Sequence, residues 1–172
     1  MPFYWLDGNH ENHEQLDRDQ GEYQYRLIYK SRGSINHFYN DEFKPVRAMF
    51  FGGTTSPDFY ARTPGVNWWP QESIKYSQVV EALKVDPPID MIFSHDHPIG
   101  FPYKVYKNNF GKADQSFLEV LRERYKPKWW VFGHHHDFKA GKTNGTQWIC
   151  APIIDTRMAI LWDGYTLTPI QL

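Results

Sequence analysis

Short apolar runs closed by turn residues set the rhythm of this chain. Residues 3–6 form the first run, which ends at Asp7-Gly8 and predicts a short buried strand. The polar stretch over residues 11–20 suits an exposed helix or loop. Residues 23–29 and 35–39 are rich in aromatic and β-branched side chains and predict short strands. Residues 46–51 predict a firmer strand, closed by Gly52-Gly53. Residues 54–70 carry several Pro and Gly and read as a loop that contains Trp68-Trp69. Ile74, Val79, Val80 and Leu83 recur at helical spacing, so residues 71–84 predict a helix. Asp86-Pro87-Pro88 stops it, because a residue before proline is driven out of the helical region.

Residues 89–93 are apolar but for Asp90, as in a strand buried on both faces. Residues 98–112 read as a long aromatic and lysine-rich loop, and residues 114–125, with Phe117, Leu118 and Leu121, as a helix. Residues 129–132 predict the next buried strand. Residues 138–142 and 146–151 flank Thr143-Asn144-Gly145, a strong hairpin signal. Residues 158–162 and 165–170 flank Asp163-Gly164 in the same way. Strand–helix units followed by hairpins imply a mixed α/β domain with helices covering sheet faces.

Composition narrows the function classes. At 172 residues with a net charge of −1, the chain reads as one domain with no basic field for nucleic acid and no polybasic membrane patch. Aromatics at 17% are far from a disordered composition. The single cysteine, Cys150, falls in a predicted core strand, excludes an internal disulfide and suits a reducing compartment. The amino end carries no cationic or long apolar segment of a signal peptide, and no run approaches the roughly 18 apolar residues of a membrane span. A cytoplasmic protein without a membrane is the expectation.

Candidate chemistry sits in three histidine-bearing turns, each after an apolar run: Gly8-Asn9-His10-Glu11, Ser94-His95-Asp96-His97-Pro98 and Gly133-His134-His135-His136. Ligands gathered at the carboxyl ends of several strands are how open α/β sheets build active sites. If the chain is extended there, His134 and His136 point the same way and can serve one metal cluster. His95 joins them from a neighbouring strand end, and Asn9 offers a neutral carbonyl oxygen suited to Mn²⁺ or Mg²⁺. A mix of imidazole, amide and carboxylate favours Mn²⁺, Fe or Zn²⁺ in hydrolysis over a Cys-rich structural zinc site. His10, beside Asn9, is placed to hand a proton to a leaving alkoxide. His97 and His135 read as supporting residues, His13 and His37 as surface residues, and Asp7 as a turn residue. Trp68-Trp69 reads as a packed lid rather than a base-stacking surface. Arg62, Lys104 and Lys107 read as loop charges within reach of a substrate phosphate.

These turns, in this order and each behind a strand, resemble the third, fourth and fifth motifs of calcineurin-like metallophosphoesterases. The segment Gly52-Gly53-Thr54-Thr55-Ser56-Pro57-Asp58, with Arg62 and Trp68-Trp69-Pro70-Gln71-Glu72, is similar to one in some bacterial and phage members. The resemblance implies an α/β/β/α sandwich with a dinuclear site at strand ends. It assigns Asn9, His95 and His134 to one metal and His136 to the other. It makes His10 the general acid and Glu11 its orienting partner. The implied cofactors are divalent ions (Mn, Fe, Zn or Ni), two in the family and as few as one here, and the implied substrate is a phosphorylated compound.

The chain departs from the family pattern in one respect. The family places Asp-x-His and then Gly-Asp upstream of Gly-Asn-His, where they supply the bridging carboxylate and most of the second metal's ligands. No such motif precedes Phe3. The expectation is therefore a truncated sandwich, without its first strand–helix–strand unit and with an exposed sheet edge that recruits a second copy or a complementing chain. Two functions stand beside each other: a metal-dependent phosphoesterase, and a non-catalytic domain with a degenerate metal site that binds a partner or ligand.

Overall fold

The computed structural model describes residues 3–18, 27–104, 109–153 and 156–171. Its centre is a six-stranded sheet in the order β3-β4-β5-β6-β8-β7. These strands are β3 (Ser34–Tyr39), β4 (Pro45–Phe51), β5 (Met91–Ser94), β6 (Trp129–Phe132), β7 (Lys139–Thr143) and β8 (Thr146–Cys150). The four inner strands β4, β5, β6 and β8 run parallel, and antiparallel β3 and β7 close the two edges. Period-two alternation in β4 sends Met49 and Phe51 to one face and Val46, Ala48 and Phe50 to the other.

The first face carries α2 (Tyr76–Leu83) and α3 (Asn109–Tyr125), whose Val79, Ala82, Leu118 and Leu121 pack with Ile92, Trp130 and Trp148. Each fully buried side chain of this size contributes about 1.5–3 kcal/mol. The second face carries two small ribbons. One is the antiparallel pair β9 (Met158–Trp162) and β10 (Leu167–Gln171), which sets Leu167, Ile160 and Trp162 against Trp129 and Ile149. The other is the parallel pair β1 (Phe3–Trp5) and β2 (Leu27–Tyr29). The mixed α/β class expected from the chain's pattern is therefore observed, with helices, a central sheet and a second β layer.

Five expectations change. The helix expected over residues 114–125 is longer, because α3 begins at Asn109, inside the stretch read as a loop. The first strand is not a buried one: Phe3 is 65% exposed, and β1 pairs with β2 outside the main sheet. Of the strand expected over residues 23–29, Leu27–Tyr29 is formed, and residues 23–26 lie outside the described residues. The helix expected over residues 71–84 is shorter, because Pro70–Glu72 makes a separate 3-10 turn and α2 begins at Tyr76. His13 is no surface residue: it lies in α1 (His13–Arg18) and is buried. Both hairpin signals hold. Asn144 and Gly145 take positive φ between β7 and β8, and the Asp163 carboxylate accepts hydrogens from Tyr165 N and Thr166 N between β9 and β10.

Candidate functional site

Three strand ends meet. β1 delivers Asp7-Gly8-Asn9, β5 delivers His95-Asp96 and β6 delivers Gly133-His134. Gly53 N, just past β4, donates to Asp7 O (2.9 Å) and ties the β1 end to the main sheet, while Gly133 N donates to His95 O (3.0 Å) and ties the β6 end to that of β5. Asp7, read as a turn residue, anchors the first end from below. Its carboxylate takes Arg32 Nε at 3.0 Å, Arg32 Nη2 at 2.6 Å and Tyr29 OH at 3.1 Å.

Asn9, His95 and His134 are brought together. His95 Nε2 lies 3.0 Å from Asn9 Oδ1 and 3.0 Å from His134 Nδ1. Asn9 is buried, and its amide nitrogen donates to Ser56 Oγ at 3.0 Å, which leaves the oxygen facing His95. Burial, helped by the neighbouring His134, lowers the His95 pKa to about 3. Burial also lowers His134 to about 4, against the pull of Asp96. Both imidazoles are therefore neutral near pH 7, the form a metal requires. Two donors on ligand bonds of about 2.1 Å that meet at right angles stand about 3.0 Å apart, so the spacing of His95 Nε2 from each of the other two atoms is compatible with a shared divalent ion. These three residues would hold it.

His136 is not in this set. His134 and His136 both have positive φ (62° and 57°), so the turn is not extended and the two side chains do not share a direction by strand alternation. His136 is exposed and acts on His134 through its charge. Glu11 also departs from its expected role. Its carboxylate accepts the backbone hydrogens of Gly8 (2.7 Å) and His10 (3.2 Å), not the His10 ring. The ring Nδ1 of His10 instead faces Arg62 Nη1 at 3.2 Å, and Arg62 Nε is held by Asp58 at 2.8 Å. Lys104 pairs with Asp137 at 2.9 Å, and Lys107 lies outside the described residues. Trp68 and Trp69 are packed as expected: Trp69 is buried, and Trp68 lies against Phe59.

A second group, Asp96, His97 and His135, has ligand atoms within 4.8 Å of one another and could hold a cation. Asp96 is already well supplied with donors. Its Oδ1 accepts His97 N at 2.7 Å and faces His135 Nε2 at 3.0 Å, while Oδ2 accepts Thr54 Oγ1 at 3.2 Å. His97 is wholly buried, with its two ring nitrogens 2.8 Å from Pro98 O and 2.8 Å from Lys104 O. Supporting roles for His97 and His135 match this packing.

Sequence reasoning gave no role to Thr54, Ser56, Glu72 or Asp96. Glu72 is buried, and its carboxylate accepts Ser56 N, Ser56 Oγ and Trp68 Nε1. Burial raises its pKa, opposed by those bonds. The signal was present in the quoted Gly-Gly-Thr-Thr-Ser-Pro-Asp and Trp-Trp-Pro-Gln-Glu segments, whose residues are these partners.

Comparison with known proteins adds the family. The calcineurin-like phosphoesterase family model matches residues 1–138. No curated protein sequence matches the chain. Two solved structures share the fold. One crystal structure aligns with 98% of this chain and 65% of its own at 13% identity and a TM-score of 0.64. The protein TT1561 of Thermus thermophilus aligns with 99% of this chain and 72% of its own at 11% identity and a TM-score of 0.58. The chain thus spans about two thirds of the length of these relatives in structure. With its match running unbroken from the first strand past the third histidine turn, the chain belongs to the calcineurin-like phosphoesterase family.

Proposed function

We propose that this chain hydrolyses a phosphomonoester or phosphodiester with metal-activated water, and that His10 gives a proton to the leaving group. The observation that carries the reading is the donor set of Asn9 Oδ1, His95 Nε2 and His134 Nδ1, with His95 Nε2 3.0 Å from each of the other two atoms and both imidazoles neutral. A divalent ion bound there supplies Lewis-acid polarisation of the phosphoryl oxygens and lowers the pKa of a water.

The chain's own residues do the rest. Arg62 is donor-only, so His10 Nδ1 accepts its hydrogen and His10 keeps its own on Nε2. In that state His10 can donate one hydrogen bond to a phosphoryl oxygen. Proton transfer needs the doubly protonated ring, so Arg62 must turn from His10 to the incoming phosphate, whose oxygens its fork matches. Once Arg62 has turned away, His10 Nδ1 takes up a proton from solvent. As the water oxygen bonds to phosphorus and gives up its own proton to solvent, the P–O bond to the leaving group breaks. The departing oxygen takes a proton from His10, which returns to its neutral form. The buried single thiol of Cys150 supports a reducing compartment, and we place the protein in the cytoplasm. No helix among the described residues is long and apolar enough to cross a membrane.

The test is hydrolysis of p-nitrophenyl phosphate and bis-p-nitrophenyl phosphate with Mn²⁺, Ni²⁺, Fe²⁺ or Zn²⁺. Turnover that a chelator removes and His10→Ala abolishes is expected. Absence of turnover with all four metals sinks the reading.

One observation favours a second reading, a non-catalytic domain that holds an ion weakly and binds a partner. Asn9, His95 and His134 are all neutral, while Asp7 and Asp96 spend their oxygens on protein donors. The partner would be a second copy or a complementing chain on the β1–β2 ribbon, whose two strands leave unpaired edges among the described residues. Metal content near two ions per chain by elemental analysis would remove it.

A further inference from the structure

Three adjacent hydroxyl side chains follow β4, and each ends on a different buried carboxylate. Thr54 Oγ1 donates to Asp96 Oδ2 at 3.2 Å, Thr55 Oγ1 to Asp114 Oδ2 at 2.6 Å and Ser56 Oγ to Glu72 Oε2 at 3.0 Å. The carboxylates come from three places: the turn after β5, helix α3 and the 3-10 turn Pro70–Glu72. All three are at most 2% exposed. Asp114 also takes the backbone hydrogens of Thr55 (2.7 Å) and Ile74 (3.0 Å). Residues 54–56 are therefore fixed from three sides before any ligand arrives.

Ser56 is the member that reaches the candidate metal ligands. A hydroxyl has a single hydrogen, and two acceptors compete for it: Glu72 Oε2 at 3.0 Å and Asn9 O at 3.2 Å. The carboxylate is the stronger acceptor, so the hydrogen goes to Glu72. The Ser56 oxygen then turns its lone pairs to Asn9 Nδ2 at 3.0 Å. The chain of donation runs from the Asn9 amide to Ser56 to Glu72. The remaining oxygen of Glu72 is occupied by Ser56 N at 2.5 Å and Trp68 Nε1 at 2.8 Å. A flipped Asn9 amide would set its oxygen against the Ser56 oxygen, whose hydrogen is already spent, and would aim an N–H at the ion site. The two orientations have nearly the same shape, so packing alone does not choose between them.

We propose that Ser56 and Glu72 are positioning residues that hold the Asn9 amide oxygen toward the metal. This rests on the metal reading given under the proposed function. A neutral amide is a weak ligand, and orienting it in advance spares the ion that work. The bulk of the Trp68–Glu72 segment then has a purpose beyond covering the site: it brings in the carboxylate that terminates the relay.

The experiment is a calorimetric Mn²⁺ titration of chelator-stripped protein. Ser56→Ala should weaken Mn²⁺ binding by about 10- to 100-fold, the usual loss when a group supporting a metal ligand is removed. Asn9→Ala should weaken it at least as much. The double variant should bind no more weakly than Asn9→Ala alone, because Ser56 acts through Asn9. Unchanged binding by Ser56→Ala overturns the proposal, as does an equal further loss in the Asn9→Ala background, which marks a general structural role. If Ser56→Ala does not fold, Glu72→Gln, which keeps the shape of the side chain, carries the same expectation. A further readout needs no variant: the side-chain amide protons of Asn9 in the wild-type protein should be slowed in exchange, and fast exchange overturns the relay. Failure of the wild type to bind Mn²⁺ at all overturns the metal reading itself, an outcome separate from unchanged binding by the variants.

Discussion

The ring of His95 lies over Gly8 so closely that a β-carbon on Gly8 would stand 2.6 Å from Cε1 and 2.9 Å from Nδ1. That glycine is what lets the first strand end meet the second. Gly8→Ala must push the imidazole away from Asn9 and His134. It should cost about 1–3 kcal/mol of stability, as overpacking does, and weaken Mn²⁺ binding together with it. Gly133 offers the contrast. It opens the third turn, yet nothing lies within 4 Å of the β-carbon it would gain. Gly133→Ala should stay within about 0.5 kcal/mol of the wild type. Urea unfolding of the two variants side by side checks this, and equal losses would remove the steric account.

The buried pair Asp7 and Arg32 should dominate the stability of this end of the molecule. Arg32 gives its fork to Asp7, to Gln78 and to the carbonyls of Gln71, Glu72 and Ser73. The side chains of Arg32 and Asp7 are 6% and 1% exposed. Arg32→Met leaves a buried carboxylate uncompensated and should cost about 3–5 kcal/mol. Arg32→Lys should recover little of it, because an ammonium cannot serve five separated acceptors with the geometry of a guanidinium. Chemical denaturation of both variants measures the difference, and full recovery by lysine would show that charge alone is at work.

The parts of this structure that were legible in the sequence are those where one short segment decides the outcome. Residues 46–51, 89–93 and 129–132 are apolar but for Arg47 and Asp90 because both faces of their strands are covered, and β4, β5 and β6 lie there. The turns at Asn9, His95 and His134 stood out because each breaks such a run. What was not legible depends on partners far away in the chain. His13 is buried in a six-residue helix whose neighbours, Asp7 and Arg32, are held by contacts the local pattern does not contain. Ser56 and Glu72 look like ordinary loop residues until the fold brings them to Asn9. The His134–His136 turn failed for a local reason: alternation presumes extended backbone, and both residues adopt positive φ.

Burial of His13 gives the protein an acid-sensitive point. Its pKa is lowered from the ordinary imidazole value, first by burial and then by the charge of Arg32, against the opposing pull of Asp7. The unfolded chain, with an imidazole pKa of about 6.5, then binds more protons than the folded one at mildly acid pH. The resulting stability is present above about pH 6.5 and is lost as the pH falls below it toward the lowered folded value. Unfolding free energies at pH 7.5 and pH 5.5 should differ in the wild type, and His13→Gln should shrink that difference. An unchanged difference would show that His13 takes no part in it.

Arg62 tests the catalytic reading without touching the metal ligands. In the free chain it spends one nitrogen on His10 and the Asn67 carbonyl and another on Asp58, and the half-exposed pair with Asp58 should contribute at most about 1 kcal/mol of stability. If its task is to meet the substrate phosphate, Arg62→Met removes a charge-assisted hydrogen bond worth about 1.5–3 kcal/mol. That corresponds to a fall in kcat/KM of about 10- to 150-fold on an aryl phosphate. Mn²⁺ affinity should not change, because no metal ligand is bonded to Arg62. Asp58→Asn should have a smaller effect, since it loosens the guanidinium but leaves its charge in place. Steady-state kinetics and a Mn²⁺ titration on the same preparations separate these outcomes. A kcat/KM equal to that of the wild type would return Arg62 to the status of a loop charge, and a loss of Mn²⁺ binding would mean that it shapes the metal site rather than the substrate's.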